Sequence, residues 1–289
     1  MKKFLLILCV LPLFVSCKKE QETGKLKVVV TTFPLYDFAR EIGGERVSIK
    51  MLVPLGAGGH SYEPSPQDII AVQNADVFLF IGGESDEWVR KISGSAGTRF
   101  MEDEEHEGHE EHEEEYDEHI WTNPKNAMAM AKKIAEVFSE KDTLNRDFYK
   151  KKSTEFVASL TALDSSFAAI VQNAKRKTII FGDRFPFKHF AEEYGLEYYA
   201  AFPGCSHEIE PSAAAIAFLI DKVKAERIPV VFYIELSNEN IAGTVAEATG
   251  AKKMLLHSVH NISQTDFEAG EGYLSLMKKN AEALGEALR

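Results

Sequence analysis

The chain has 289 residues, 45% of them apolar and 27% charged, with a formal net charge of −12. That length can bury one large or two medium cores, and the acidic balance excludes a nucleic-acid binder, which needs a basic face. The acidity is local: twelve of the 45 acids fall between Glu102 and Glu118, a stretch without Lys or Arg, so elsewhere the charges cancel.

Lys2 and Lys3, followed by the apolar run Phe4 to Val15, predict an export signal over residues 1–16. The run is too short to span a bilayer, which takes about twenty apolar residues. It ends in Phe14-Val15-Ser16-Cys17, a relaxed lipoprotein cleavage box in which Cys17 would carry the lipid, and residues 17–24 then form a polar tether. The expected location is periplasmic or at the cell surface, with the lipid anchor as the only membrane contact. Once Cys17 is lipidated, Cys205 is a lone thiol without a disulfide partner.

"KLKVVV" from Lys25 predicts a buried strand, and Leu35 to Ile42 a helix. "VSIKMLVP", "SPQDIIAVQNA" with Ser65 as cap, and "DVFLFIG" continue the alternation. Strands alternating with helices predict a parallel sheet covered on both faces. This first α/β lobe takes residues 25–142 and includes a histidine- and acid-rich loop, 102–118. No Gly or Pro interrupts Lys125 to Ala174, and residues 143–175 read as one long linking helix. Alternation then resumes through a second α/β lobe, 176–289. "FPLYDFAREIG" (Phe33 to Gly43) aligns without gaps with "FPFKHFAEEYG" (Phe185 to Gly195), each just after an apolar strand, which suggests a pseudo-repeat. The expected fold is two Rossmann-like lobes with parallel sheets, joined by a long rigid helix. Ligands of such sheets sit outside the carboxyl ends of the strands, so the interlobe cleft is the expected site.

Three residues carry chemistry at such positions. His60 projects from "PLGAGGHSYEPSPQD", a Gly- and Pro-rich loop just after a strand. His119, in "YDEHIWTNPKNA", is pinned between the acidic run and a helix capped near Asn123 with Pro124 in its first turn. A simple hydrogen bond to Asp117 is the competing role for His119. Glu235 ends the strand "PVVFYIE", where it faces the cleft or compensates a helix dipole. Nitrogen and oxygen ligands gathered from distant segments suit a divalent metal. His106, His109 and His112 float among glutamates and would capture metal only loosely.

With these residues in place, the chain resembles the substrate-binding lipoproteins of zinc and manganese ABC transporters, the zinc-binding/TroA-like group. The resemblance runs from about Leu26 to the C-terminus and is carried by "GGHSYEPSPQD", "DEHIWTNPKNA" and "FYIELSNENIAGTVAEATGAK". It implies metal-ligand roles for His60, His119 and Glu235, a rigid linking helix, and delivery of a captured Zn2+ to a permease and ATPase, with a monomeric binding protein. One position departs from it: Arg184 in "FGDRFPF" stands where the family has His or Glu, and arginine cannot ligate. Cys205 is the first substitute, then Asp183 and His207. A three-ligand site completed by water, with Arg184 balancing Glu235, is a further arrangement. His189, His257 and His260 read as packing or structural residues.

Two imidazoles and a thiolate favour Zn2+ over Mn2+. The competing functions are a zinc-dependent hydrolase, which would need an open coordination position and a general base, and a surface adhesin stabilised by its metal. No helical ligand pair of the HExxH type is present.

Overall fold

Mostly apolar runs of four or five residues form the central strands of the two sheets. The structure, a computed structural model, describes residues 24–92, 97–101, 117–202 and 211–289. The export signal, Cys17, the loop histidines His106, His109 and His112, and Cys205 and His207 lie outside these residues.

The first lobe runs β1 (Leu26–Val30), α1 (Phe33–Gly43), β2 (Val47–Met51), α2 (Pro66–Gln73), β3 (Val77–Phe80), α3 (Glu87–Ile92) and β4 (Thr98–Arg99). Two helices follow, α4 (Pro124–Lys141) and α5 (Arg146–Gln172). The second lobe runs β5 (Thr178–Phe181), α6 (Lys188–Tyr194), β6 (Glu197–Ala200), α7 (Ala213–Glu226), β7 (Val230–Tyr233), α8 (Asn240–Thr249), β8 (Lys252–Leu255), α9 (Gln264–Glu268) and α10 (Tyr273–Ala287). Strand order is β2-β1-β3-β4 in one sheet and β6-β5-β7-β8 in the other, and every pair is parallel. The two-lobed parallel α/β fold expected from the sequence is the fold observed.

Central strands of a covered parallel sheet have no wet face, so they are apolar throughout: all four residues of β5 and four of the five in β1 are buried. The pseudo-repeat occupies equivalent places, after β1 and after β5. It differs in one respect: "FPLYDFAREIG" is helical from Phe33, while in its counterpart the helix begins only at Lys188. The preceding residues, Asp183 to Phe187, form a loop at the end of β5.

Helix α5 has 27 residues, about 40 Å at 1.5 Å per residue. Its length and apolar content would let it cross a membrane, but Tyr149, Phe156, Leu160, Leu163, Phe167 and Val171 face the protein interior at helical spacing. It packs against α1 and α4 on one side of the molecule and α6 and α10 on the other. One buried cluster therefore runs through both lobes, from Val28 and Phe38 through Phe156 and Phe167 to Phe181 and Phe232.

Hydrogen bonds cross the same interface. Tyr273 is fully buried; its N–H donates to Asp37 Oδ2 and its hydroxyl to the Trp121 carbonyl, both at 2.7 Å. Trp121 Nε1 donates to the Ser258 carbonyl at 2.8 Å. Asn261 Nδ2 donates to the carbonyls of Pro54 and Ala57, each at 2.7 Å.

Candidate metal centre

A cavity of about 170 Å³ opens between the lobes, and most of its wall comes from segments that follow the carboxyl ends of strands. Residues 56–60 follow β2, Arg184 and Pro186 follow β5, Ile234 to Ser237 follow β7, and Ser258 to Asn261 follow β8. His119 completes the lining from the turn that leads into α4. Parallel strands all end on the same side of their sheet, so chain segments far apart in sequence meet there.

Three imidazoles form a near-equilateral triangle in this cleft. Ring centroids are 5.4 Å apart for His60 and His119, 5.0 Å for His60 and His260, and 5.2 Å for His119 and His260. Ligand atoms of these three and of Glu118 all lie within 4.8 Å of one another. His119 Nε2 sits 3.2 Å from His260 Nδ1. Two nitrogens on one tetrahedral zinc, each about 2.0–2.1 Å from it, are about 3.3 Å apart, so this pair already has the spacing that a shared ion requires.

Each ring is oriented by a different device. His119 is 2% exposed and its Nδ1 meets Asp117 Oδ1 at 2.5 Å. A carboxylate only accepts, so Nδ1 carries the proton and Nε2 presents its lone pair to the cleft. Asp117 is itself held, accepting from the N–H groups of His119 and Lys188 at 3.0 and 3.2 Å. Burial alone would raise the Asp117 carboxyl, but the His119 contact outweighs it and keeps the group below its ordinary range. The remaining near neighbour, His189, donates from Nε2 to the Asp117 carbonyl at 2.7 Å.

His60 lies in the short turn Gly59–Ser61. Its Nδ1 is 3.0 Å from Ser85 Oγ, and that hydroxyl donates to Glu118 Oε1 at 2.5 Å. The hydroxyl proton is thus committed to the carboxylate, so Oγ accepts Nδ1–H and Nε2 of His60 becomes its lone-pair nitrogen. Glu118 also accepts the Ser85 N–H at 3.0 Å. Burial pushes the Glu118 carboxyl up, against the pull of His119 and the Ser85 donors. Asp86, buried nearby, is raised to about 7 by burial and the Glu118 charge, although the Gly82 N–H opposes this.

His260 follows β8 on a loop whose preceding residue, Val259, is buried with φ +62°, a left-handed conformation rare for a β-branched side chain. Trp121 packs beside it with ring centroids 5.4 Å apart. The close approach of Gly59 is what admits the ring: a Cβ on Gly59 would sit 2.0 Å from His260 Nε2. Only glycine fits there.

The sequence expectations meet this geometry unevenly. His60 and His119 come together. Glu235 lines the same cavity, but its carboxylate does not join the ligand group. It accepts from Ser258 N at 2.7 Å, Ser258 Oγ at 2.5 Å and His260 N at 3.2 Å, so it braces the loop that carries His260. Asp183 is likewise turned to backbone, accepting from the N–H groups of Arg184 and Ile234 at 2.8 and 3.3 Å. Both acids sit at the right strand ends, but a carboxylate surrounded by unsatisfied loop N–H groups is claimed by them first. Sequence reasoning assigned His260 a structural role and overlooked Glu118. The usable signal was position: His260 follows its strand as His60 follows β2. His257, by contrast, is structural, its Nδ1 accepting from Val259 N at 3.0 Å.

Residues 28–287 match the family described as ZnuA, zinc-uptake complex component A periplasmic. The chain is 32% identical over 287 residues to the high-affinity zinc uptake system protein ZnuA of Bacillus subtilis, covering 93% of this chain and 89% of that protein. It is 29% identical over 305 residues to the zinc-binding lipoprotein AdcA of Streptococcus pneumoniae, spanning 98% of this chain but only 60% of AdcA. Among solved structures, the Zn(II)-bound ZnuA-like domain of S. pneumoniae AdcA superposes with a TM-score of 0.78 at 28% identity, covering 92% of this chain and 99% of that one.

Proposed function

Because the chain belongs to the ZnuA family of periplasmic zinc-uptake components, we propose that it captures Zn2+ outside the cytoplasmic membrane and passes it to an ABC permease and its ATPase. The chain is a carrier rather than an enzyme, and zinc is its cargo. The observation that carries this reading is the triangle of His60, His119 and His260, with His119 Nε2 and His260 Nδ1 at 3.2 Å. Imidazole nitrogens favour Zn2+ over the harder Mn2+, which prefers oxygen ligands.

His60, His119 and His260 are the zinc ligands in this proposal. Asp117 and the Ser85–Glu118 pair fix the rings of His119 and His60, and Glu235 fixes the loop of His260. Glu118 adds negative charge next to the cation without lining the cavity. The acidic segment with His106, His109 and His112 raises the local cation concentration, and Cys17 carries a lipid that keeps the monomeric protein beside its permease. A transport protein must also release its cargo, which suits three neutral ligands better than a closed shell of thiolates.

Zinc titration against a competing chelator tests the site. The protein should take one equivalent tightly, and the His60→Ala, His119→Ala double variant should lose it. Tight binding of one equivalent by that double variant would place the site elsewhere. For the acidic segment, deletion of residues 102–115 should lower uptake at scarce zinc; unchanged stoichiometry and unchanged uptake would reject the collecting role.

A further inference from the structure

Arg184 is the one charged lining residue that the zinc-capture reading leaves without a role. Its side chain shares the cavity with His60, His119 and His260. The guanidinium stays charged at any physiological pH, and a second cation is an unfavourable neighbour for a dication in a partly buried cleft. A carboxylate nearby would normally neutralise it. Asp183, beside it in the chain, and Glu235, in the same cavity, form no ion pair with it: Asp183 holds the N–H groups of Arg184 and Ile234, and Glu235 holds Ser258 and His260. Among the described residues the Arg184 guanidinium forms no ion pair; it lies 5.8 Å from the Phe202 ring centroid, and its buried Nε has no hydrogen-bond partner.

The cavity has room for more than an ion. Its volume of about 170 Å³ compares with roughly 10–15 Å³ of such space needed to hold one water molecule. Three imidazoles leave one position of a tetrahedral zinc open. Glu118 belongs to the same ligand group but lies outside the cavity lining, with each of its oxygens accepting a hydrogen bond from Ser85, and the fourth position is assigned to a group that enters through the cavity.

Resting on the zinc-capture reading, we infer that the cavity takes its dication together with a small carboxylate-type anion, such as acetate or hydrogencarbonate, held between the metal and the Arg184 guanidinium. One anion oxygen completes the tetrahedron. The remaining oxygen accepts from the guanidinium fork, whose planar donors match a carboxylate edge. The anion removes the repulsion between the two cations, so metal and anion bind cooperatively. No bond is made or broken beyond coordination and hydrogen bonding.

Cobalt(II) in place of zinc makes this visible, because its d–d bands report the ligand set. The full chain is loaded with Co2+ in a non-coordinating, carboxylate-free buffer and titrated with acetate and, separately, with hydrogencarbonate. A saturable change in the bands with either anion is expected. Arg184→Met should weaken that anion response about tenfold or more, since the charge-assisted fork is gone, yet bind cobalt more tightly than the parent without anion. Arg184→Lys, which keeps the charge but not the fork, should fall between them. No spectral change in the parent, or an equal response in Arg184→Met, overturns the inference. So does a thiolate-to-cobalt charge-transfer band that Cys205→Ser abolishes, which would give the fourth position to sulfur. Failure of the zinc-capture reading looks different: cobalt would not bind at all, or would bind undiminished to the His60→Ala, His119→Ala variant.

Discussion

The orientation of single side chains controls this site more than their identity. His119 is a ligand candidate only because Asp117 accepts the hydrogen bond from its Nδ1–H and leaves Nε2 to face the cleft. Asp117→Asn keeps the size but can present an amide N–H where the ring needs an acceptor. Its zinc affinity should fall about 10- to 100-fold, as for other residues that orient a metal-bound histidine, while urea unfolding of the metal-free protein changes little. Chelator competition and urea titration measure the two effects separately. A second residue, Asp68, governs pH dependence at the start of α2. Ser65 caps that helix, as its sequence position predicts, and Asp68 closes the reciprocal bond. Partial burial would raise the Asp68 carboxyl, but Lys50 and Ser65 together lower it from 3.8 to about 2. Its folded-state value is below the unfolded one, so its contribution is present above pH 4 and is lost as pH falls from about 4 to about 2. Asp68→Asn should therefore be less stable at pH 6, by about 0.5 kcal/mol for so exposed a pair. The gap should narrow below pH 4 in thermal melts.

At the scale of elements, the loop after β8 and helix α5 do opposite jobs. The loop holds Val259 in a left-handed conformation, which costs on the order of 1–3 kcal/mol and persists because Glu235 ties down Ser258 and His260. Glu235→Ala strands those buried donors at about 1–3 kcal/mol each and frees His260. Both urea stability and zinc affinity should drop, and Glu235→Gln, which retains one acceptor oxygen, should restore part of each. Helix α5 instead supplies apolar contact. Phe156, 4% exposed, packs edge-on against Phe38 of α1 with centroids 5.3 Å apart. Phe156→Ala should cost about 3–5 kcal/mol in equilibrium unfolding through the cavity it leaves, with zinc affinity of the folded fraction unchanged.

Across the whole molecule, the lobes share a core and a set of crossing hydrogen bonds, so they cannot part freely. Opening the cleft by a hinge would expose Trp121 and Tyr273, both at most 1% exposed. Metal-free and zinc-loaded protein should consequently have nearly the same radius of gyration in small-angle X-ray scattering. A change of several ångströms on zinc binding would show that the shared core does separate. On the zinc-capture proposal, the ion would then enter and leave by local movement of the loops that carry His60 and His260.

The sequence by itself determined what depends on neighbours along the chain: apolar strands alternating with amphipathic helices, the caps at Ser65 and Asn123, the uninterrupted α5, and the strand-end placement of His60 and His119. Those features follow from local periodicity and backbone chemistry, which a one-dimensional reading can see. The tertiary structure decided which strand-end groups face the cavity. His260 enters it because Gly59 has no side chain to exclude the ring. Glu235 lines the cavity and Asp183 does not, and neither carboxylate joins the three histidines, because backbone N–H groups of the strand-end loops hold them. Those outcomes are set by contacts between loops dozens to hundreds of residues apart, and they take form only when the chain folds those strand-end loops together.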